Sequence, residues 1–241
     1  MQIHLYDTAA QAGQAAATLI AAQLIQNPQS VLGLATGSSP VPAYRQLIAW
    51  HREGIVDFSN AITFNLDEYV GIPPAHPASY HTFMEAELFS AVNIRRDNIH
   101  IPDGSAANLQ RECSDYDTAI SRAGGIDLQL LGIGRNGHIG FNEPDEQFVY
   151  GCHVVNLTKS TIEANRRFFA PPQQVPDQAV SLGVGSIMNA RRVVLIATGS
   201  DKAQAVRSAI REDVNPKVQA SILRTHRDVI FLLDRAAAGL L

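Results

Sequence analysis

Residues 126–144 read IDLQLLGIGRNGHIGFNEP. The first six have the length and apolar content of a buried β-strand. The next thirteen hold four glycines, two asparagines, one arginine, one histidine and one glutamate. A chain that leaves a strand and at once gives up side chains lets its backbone turn tightly and approach a ligand closely. His138 and Glu143 are then the groups left to do chemistry. Histidine changes charge near neutral pH and carries protons between oxygens. Glu143 or Asn136 is placed to fix its ring, as a carboxylate does in a histidine–acid pair.

The same arrangement recurs along the chain. Residues 30–35 (SVLGLA) are followed by TGSS, 61–65 (AITFN) by LDEY, 192–197 (RVVLIA) by TGSDK, and 229–233 (VIFLL) by Asp234. These runs are continuous rather than alternating, as strands covered on both faces are. A further strand is expected at 2–6, and shorter ones at 98–101 and 179–182. Helices are expected at 8–26, from Pro40 to 51, and at 79–89, 106–123, 158–169 and 201–210. Residues 66–77 contain three prolines and a glycine and read as loop. Ala-Pro-Pro-Gln at 170–173 reads as a loop break. Strands separated by helices mean β-α-β units. No linker, repeat or charge block divides the chain. The expected fold is one α/β domain over residues 1–241, an open, mainly parallel, Rossmann-like sheet with helices on both faces.

In such a sheet ligands bind beyond the carboxyl ends of the strands. Four of the loops above deliver small, acidic, histidine or lysine residues to that edge. Thr36-Gly37-Ser38-Ser39 sets backbone N–H groups and hydroxyls at a helix start, which suits a phosphate as well as a plain helix cap. No Gly-Lys-Ser/Thr follows, so it is not a Walker A loop. Thr198-Gly-Ser-Asp-Lys202 repeats the turn and adds a cation. Asp67 and Glu68 follow a buried strand and point in different directions, so one can face a pocket while the other makes structural contacts. A carboxylate beside a carbohydrate carbon serves as a general base. His76, His81, Asp67, His138 and Glu143 lack tight metal spacing, and no metal is expected.

The 241 residues carry a net charge of −4, against a nucleic-acid partner. Two cysteines, Cys113 and Cys152, make no disulfide framework and read as reduced thiols. The N-terminus has no basic, cleavable leader pattern, and no apolar run reaches the ~18 residues of a membrane span. A cytoplasmic protein with no membrane partner is expected.

Seven segments, in order, resemble the glucosamine-6-phosphate deaminase family, whose fold is shared with 6-phosphogluconolactonase. They are Leu34-Ala-Thr-Gly-Ser-Ser-Pro40, Thr63-Phe-Asn-Leu-Asp-Glu-Tyr-Val-Gly71, Pro77-Ala-Ser-Tyr80, GIGRNGHIGFNEP, Asn165-Arg-Arg-Phe-Phe169, Val184-Gly-Ser186 and Thr198-Gly-Ser-Asp-Lys-Ala203. The resemblance reaches from the first strand to about Asp234. It implies an enzyme of amino-sugar catabolism that converts glucosamine 6-phosphate and water to fructose 6-phosphate and ammonia, with no cofactor. It implies Asp67 as the base between C2 and C1, His138 as the group that opens the sugar ring, and Glu143 as its assistant. Gly37, Ser38, Ser39, Arg167 and Lys202 match the phosphate-binding positions. Residues 149–176 resemble a lid over the site, from which Arg167 reaches the phosphate.

Two departures from the family pattern stand out. Where the family's hexameric members have an aspartate two residues before the histidine, this chain has Asn136. It can accept an imidazole N–H through its amide oxygen but brings no charge. The residues after the NEP motif, Asp145-Glu-Gln147, then His153 and Val155, do not match the family's effector site for N-acetylglucosamine 6-phosphate. The chain also ends at Leu241, without the family's longer tail. A non-allosteric enzyme, a monomer or small homo-oligomer, is expected. The alternatives are a 6-phosphogluconolactonase-type hydrolase and a non-catalytic sugar-phosphate-sensing module.

Overall fold

Along Val229–Asp234 the side chains alternate between two separate apolar layers. Val229, Phe231 and Leu233 join one; Ile230 and Leu232 join the other. Both faces of the strand are covered, so every position from Val229 to Leu233 is apolar and no alternation is visible in the sequence. The inner strands of the computed structural model, which describes residues 1–169 and 173–241, follow this rule, while the strand at residues 2–6 is largely exposed.

In chain order the strands are β1 (Gln2–Tyr6), β2 (Val31–Leu34), β3 (Ile62–Asn65), β4 (Asp67–Tyr69), β5 (Ile99–His100), β6 (Leu128–Leu131), β7 (His153–Asn156), β8 (Gln178–Ser181), β9 (Arg192–Ala197) and β10 (Val229–Asp234). The helices are α1 (Ala9–Gln26), α2 (Val41–Arg52), α3 (Tyr80–Glu87), α4 (Leu109–Arg122), α5 (Lys159–Asn165), α6 (Val184–Met188) and α7 (Ala203–Arg211). Seven strands form one parallel sheet in the order β1-β10-β9-β6-β2-β3-β5. Side chains of α1, α2 and α3 pack on one face. Those of α4, α6 and α7 pack on the other. The open α/β architecture expected from the sequence is the one observed.

Strand order reverses between β2 and β6. From β2 the chain steps to β3 and β5; from β6 it steps the other way to β9 and β10. That reversal opens a crevice at the carboxyl ends, between the TGSS turn after β2 and the glycine-rich loop after β6. The amino ends are pinned by Asp127. Its carboxylate accepts the Val31 N–H at 2.8 Å and an Arg191 N–H at 2.7 Å. Gln129, fully buried in β6, fits because its β2 neighbour is Gly33; a Cβ there would lie 2.0 Å from the Gln129 Oε1.

Most helix ends follow local rules. Thr8 accepts the Gln11 N–H while Gln11 Oε1 accepts the Thr8 N–H, a reciprocal cap worth about 1 kcal/mol. Pro40 is the cap of α2 rather than within its first turn, which holds Pro42. The expected helix at 158–169 is shorter: α5 ends at Asn165 and a 3₁₀ turn covers Arg166–Phe168. No helix among the described residues is long and apolar enough to cross a membrane.

The reading of 66–77 as loop is corrected at its start. Asp67–Tyr69 is strand β4, paired antiparallel with β8 (Asp67↔Ser181, Glu68↔Val180, Tyr69↔Ala179). With β7 it makes a second, three-stranded antiparallel sheet, in the order β4-β8-β7, which the sequence did not announce. Of its strands only β8 was expected, at 179–182; β4 opens on two acids and β7 is only half-buried, and the prolines that signalled loop come only after Tyr69. Of the loop break expected at 170–173, residues 170–172 lie outside the described residues.

Candidate active site

The crevice widens into a cavity of about 1070 Å³. The loops after β2, β3, β6 and β9 line it, together with one side of α5 and the 3₁₀ turn that follows. Asp67, Asn136, His138, Gly37, Ser38, Ser39, Arg167 and Lys202 all face this one space. Glu143 stands directly behind His138. Loops far apart in the chain therefore meet at one rim.

Asp67 sits on the cavity wall with 6% of its surface exposed. Burial, then the charge of Glu68, pushes its carboxyl up to about 8. The backbone of Gly140, two residues past His138, passes so close that a Cβ there would lie 3.5 Å from Asp67 Oδ2. Its neighbour Glu68 turns away to the start of α3. There it accepts the N–H groups of Tyr69, Tyr80 and His81 at 2.8–3.2 Å. The two adjacent acids thus divide as expected, one facing the cavity and one structural. Burial pushes Glu68 up to about 7, against the pull of those N–H groups.

His138 packs flat against Gly134. A Cβ at 134 would meet the imidazole at 2.5 Å, so only glycine leaves room for the ring. Nδ1 faces Glu143 Oε2 at 3.4 Å and Thr161 Oγ1 at 3.5 Å. Nε2 has no protein partner among the described residues. Burial alone would push Glu143 up. The hydrogen bond and charge of His138, with hydrogen bonds from Thr161 and Asn136, outweigh it and hold the carboxyl down at about 2.

The reading of Asn136 as an acceptor for the imidazole is corrected. Its amide nitrogen donates to Glu143 Oε2 at 2.7 Å, and its oxygen accepts the backbone N–H of His138 at 3.2 Å. At 2.7 Å from a carboxylate only the N–H end fits, so the amide orientation is fixed by chemistry. Of the two ring-orienting candidates, Glu143 faces the ring and Asn136 holds Glu143. The sequence reading missed Thr158 and Thr161. Thr158 caps α5 and also donates its N–H and hydroxyl to Glu143 Oε1, each at 3.3 Å. Tyr80 was also missed: it is partly buried, lines the cavity and lies near Asp67.

At the other end the groups suit an anion. The N–H groups of Gly37, Ser38 and Ser39 donate to no protein acceptor among the described residues. The matching turn after β9 behaves differently. Asp234 takes the Gly199 N–H, at 3.0 and 3.1 Å, so that turn serves the cavity through Lys202. Burial lowers the Lys202 ammonium; Arg135 and Arg167 push the same way and Asp201 opposes them. Of residues 149–176, β7 is bound into the small sheet, and it is α5 with the following turn that overlies the cavity.

Residues 5–231 match the family model for glucosamine-6-phosphate isomerases/6-phosphogluconolactonase. The glucosamine-6-phosphate deaminase of Thermoanaerobacter sp. (strain X514) is 50% identical over 226 residues, 94% of this chain and 89% of that one. The enzyme of the same name from Halothermothrix orenii (strain H 168 / OCM 544 / DSM 9562) is 48% identical over the full length of both. A solved monomeric glucosamine-6-phosphate deaminase superposes with a TM-score of 0.97 at 40% identity, covering 100% of both chains. A 6-phosphogluconolactonase from Trypanosoma brucei reaches 0.77 at 20% identity, over 100% of this chain and 98% of that one; it shares the fold.

Proposed function

Because the chain belongs to the family of glucosamine-6-phosphate isomerases and 6-phosphogluconolactonases, we propose that it is the deaminase of that pair, converting glucosamine 6-phosphate and water to fructose 6-phosphate and ammonia. The observation that carries this reading is the buried Asp67 carboxyl on the same cavity wall as His138 and its acid. Lactone hydrolysis moves no proton between carbons, whereas an aldose–ketose shift needs a base beside two of them.

The substrate phosphate sits among the free N–H groups of Gly37, Ser38 and Ser39, with Arg167 and Lys202 supplying charge. Binding energy gained there positions carbons that lie far from it. His138, with Glu143 behind it, carries the proton of the C1 hydroxyl to O5 as the C1–O5 bond breaks, and the ring opens to the aldehyde. Asp67 then takes the proton from C2 while the substrate's ammonium passes one to O1, and a neutral enolamine forms. The same carboxyl returns the proton to C1, leaving an iminium at C2. Water adds there and ammonia departs, which leaves the ketone of fructose 6-phosphate. A carboxyl held at about 8 is a far stronger base than one in water, near 3.9. Its place between two adjacent carbons supplies the rest of the advantage.

The segment around α5 acts as the lid, and the enzyme works as a non-allosteric monomer in the cell interior. The test is ammonia release from glucosamine 6-phosphate by the purified protein, coupled to glutamate dehydrogenase. Hydrolysis of 6-phosphogluconolactone without ammonia release would instead establish the lactonase. Binding of the sugar phosphate with no turnover would make the protein a sensor.

A further inference from the structure

Arg135 stands in the middle of the glycine-rich loop, fourth after the end of β6 at Leu131. Asp201 is fourth after the end of β9 at Ala197, and the two strands are neighbours, with Leu131 beside Leu195. The two side chains therefore meet on one rim of the crevice: Arg135 Nε lies 2.8 Å from Asp201 Oδ2. The same oxygen is 4.0 Å from Lys202 Nζ. All three residues line the cavity, at the end where Arg167 also enters.

A solvent-exposed ion pair by itself contributes little. This one has a particular geometry. Asp201 engages the guanidinium only through Nε, and the Arg135 Nη1 and Nη2 groups have no protein partner among the described residues. An arginine held by its Nε keeps its planar fork in one orientation and offers both terminal nitrogens to a tetrahedral oxyanion. Its side chain is 64% exposed, so nothing in the core depends on it.

We infer that Arg135 is a phosphate-recognising residue of this cavity, and that Asp201 is the positioning residue that aims it. The inference deepens the proposed function, since it takes the cationic end as the phosphate end. Lys202 is a point charge and Arg167 comes from the α5 side. Arg135 is presented from the glycine-rich loop that also carries His138. It therefore ties the phosphate's position to that of the proton-carrying ring. A ligand with three terminal oxygens uses all three cations; a neutral sugar uses none.

The test measures affinity for inorganic phosphate by calorimetry and steady-state kinetics with glucosamine 6-phosphate. Arg135→Gln is expected to weaken phosphate binding and raise KM about tenfold, the worth of a charge-assisted hydrogen bond, with kcat changed less than about twofold. Arg135→Lys keeps the charge without the fork and recovers only part. Asp201→Ala is expected to raise KM in the parent and to add nothing in the Arg135→Gln background, because it acts through Arg135. Three results would overturn the inference: unchanged phosphate affinity in Arg135→Gln, a fall in kcat at constant KM, or an equal effect of Asp201→Ala in both backgrounds. The calorimetry needs no turnover. A protein that releases no ammonia but loses phosphate affinity in Arg135→Gln would sink the proposed reaction and leave this inference standing.

Discussion

Asp67 is the residue on which chemistry and stability oppose each other. Its carboxyl is raised to about 8 in the folded protein, against about 3.9 in an unfolded chain. Between those values the folded state holds the extra proton, so stability falls as pH rises through that window. As the proposed base, Asp67 reacts as the carboxylate, so kcat/KM is expected to climb with pH up to about 8 and then level. Asp67→Asn should lower turnover by roughly 10³-fold while raising the melting temperature at pH 8. A variant with near-normal rates would place the base elsewhere. Glu143 has the opposite sign: its carboxyl, held at about 2, stabilises the fold above pH 4.3 or so and loses that contribution as pH falls toward 2. Asn136 tests the same pair. Asn136→Asp would replace a 2.7 Å N–H donor to Glu143 with a second carboxylate. We expect a loss of about 1–3 kcal/mol at pH 7, from like charges and a lost bond. The loss should shrink at pH 5, where one of the two acids takes a proton. Equal melting-temperature losses at both pH values would contradict the charge argument.

At the scale of elements, the strands that deliver the site were legible, and of those that brace it only β8 was. β2, β3, β6, β9 and β10 are continuous apolar runs ended by polar turns, and burial on both faces writes that pattern directly. β4 begins with two acids and β7 is only half-buried, so neither carries a strand signal, though Asp67 itself sits in that small sheet. The site was legible wherever a residue's place follows from the end of a strand. Thr158 and Thr161 on Glu143 and His138, and Asp201 on Arg135, were hidden because each pair joins loops distant in sequence. The two TGS turns show the limit most plainly. Identical tripeptides predict identical anion sites, yet Asp234 at the end of β10 occupies the Gly199 N–H while Gly37 keeps its own free. Asp234 also accepts the Ala237 N–H at 2.7 Å, so it fixes the turn that aims Lys202. Asp234→Asn keeps one acceptor oxygen and loses the charge. It is expected to raise KM for glucosamine 6-phosphate about three- to tenfold through the displaced Lys202, with kcat little changed. A kcat defect at constant KM would mean that this turn serves the reacting carbons instead.

For the whole molecule the question is whether one copy suffices. The residues proposed for binding and proton transfer gather at one cavity of this chain, and the cavity lies at the reversal of one sheet's strand order. Cooperative kinetics require a second site and a second global state that favours one ligand over another. In a sugar-phosphate enzyme built of several copies, an interface supplies both. The surface on which a second copy would most readily pair is edge strand β1, where Ile3 and Leu5 are exposed. That strand runs along the far edge of the sheet, separated from β6 and β2 by β10 and β9. Pairing there would leave the residues that line the cavity untouched. We therefore expect hyperbolic rate curves for glucosamine 6-phosphate, with neither KM nor curve shape altered by N-acetylglucosamine 6-phosphate at concentrations that do not compete for the site. Light scattering should give a mass near 26.1 kDa at assay concentrations. A dimer with hyperbolic kinetics would locate an interface and keep the site autonomous. A sigmoidal curve that turns hyperbolic on adding the acetylated sugar phosphate would overturn the expectation, because it would require an effector site built from residues outside the cavity and coupled to it through a second conformation of the chain.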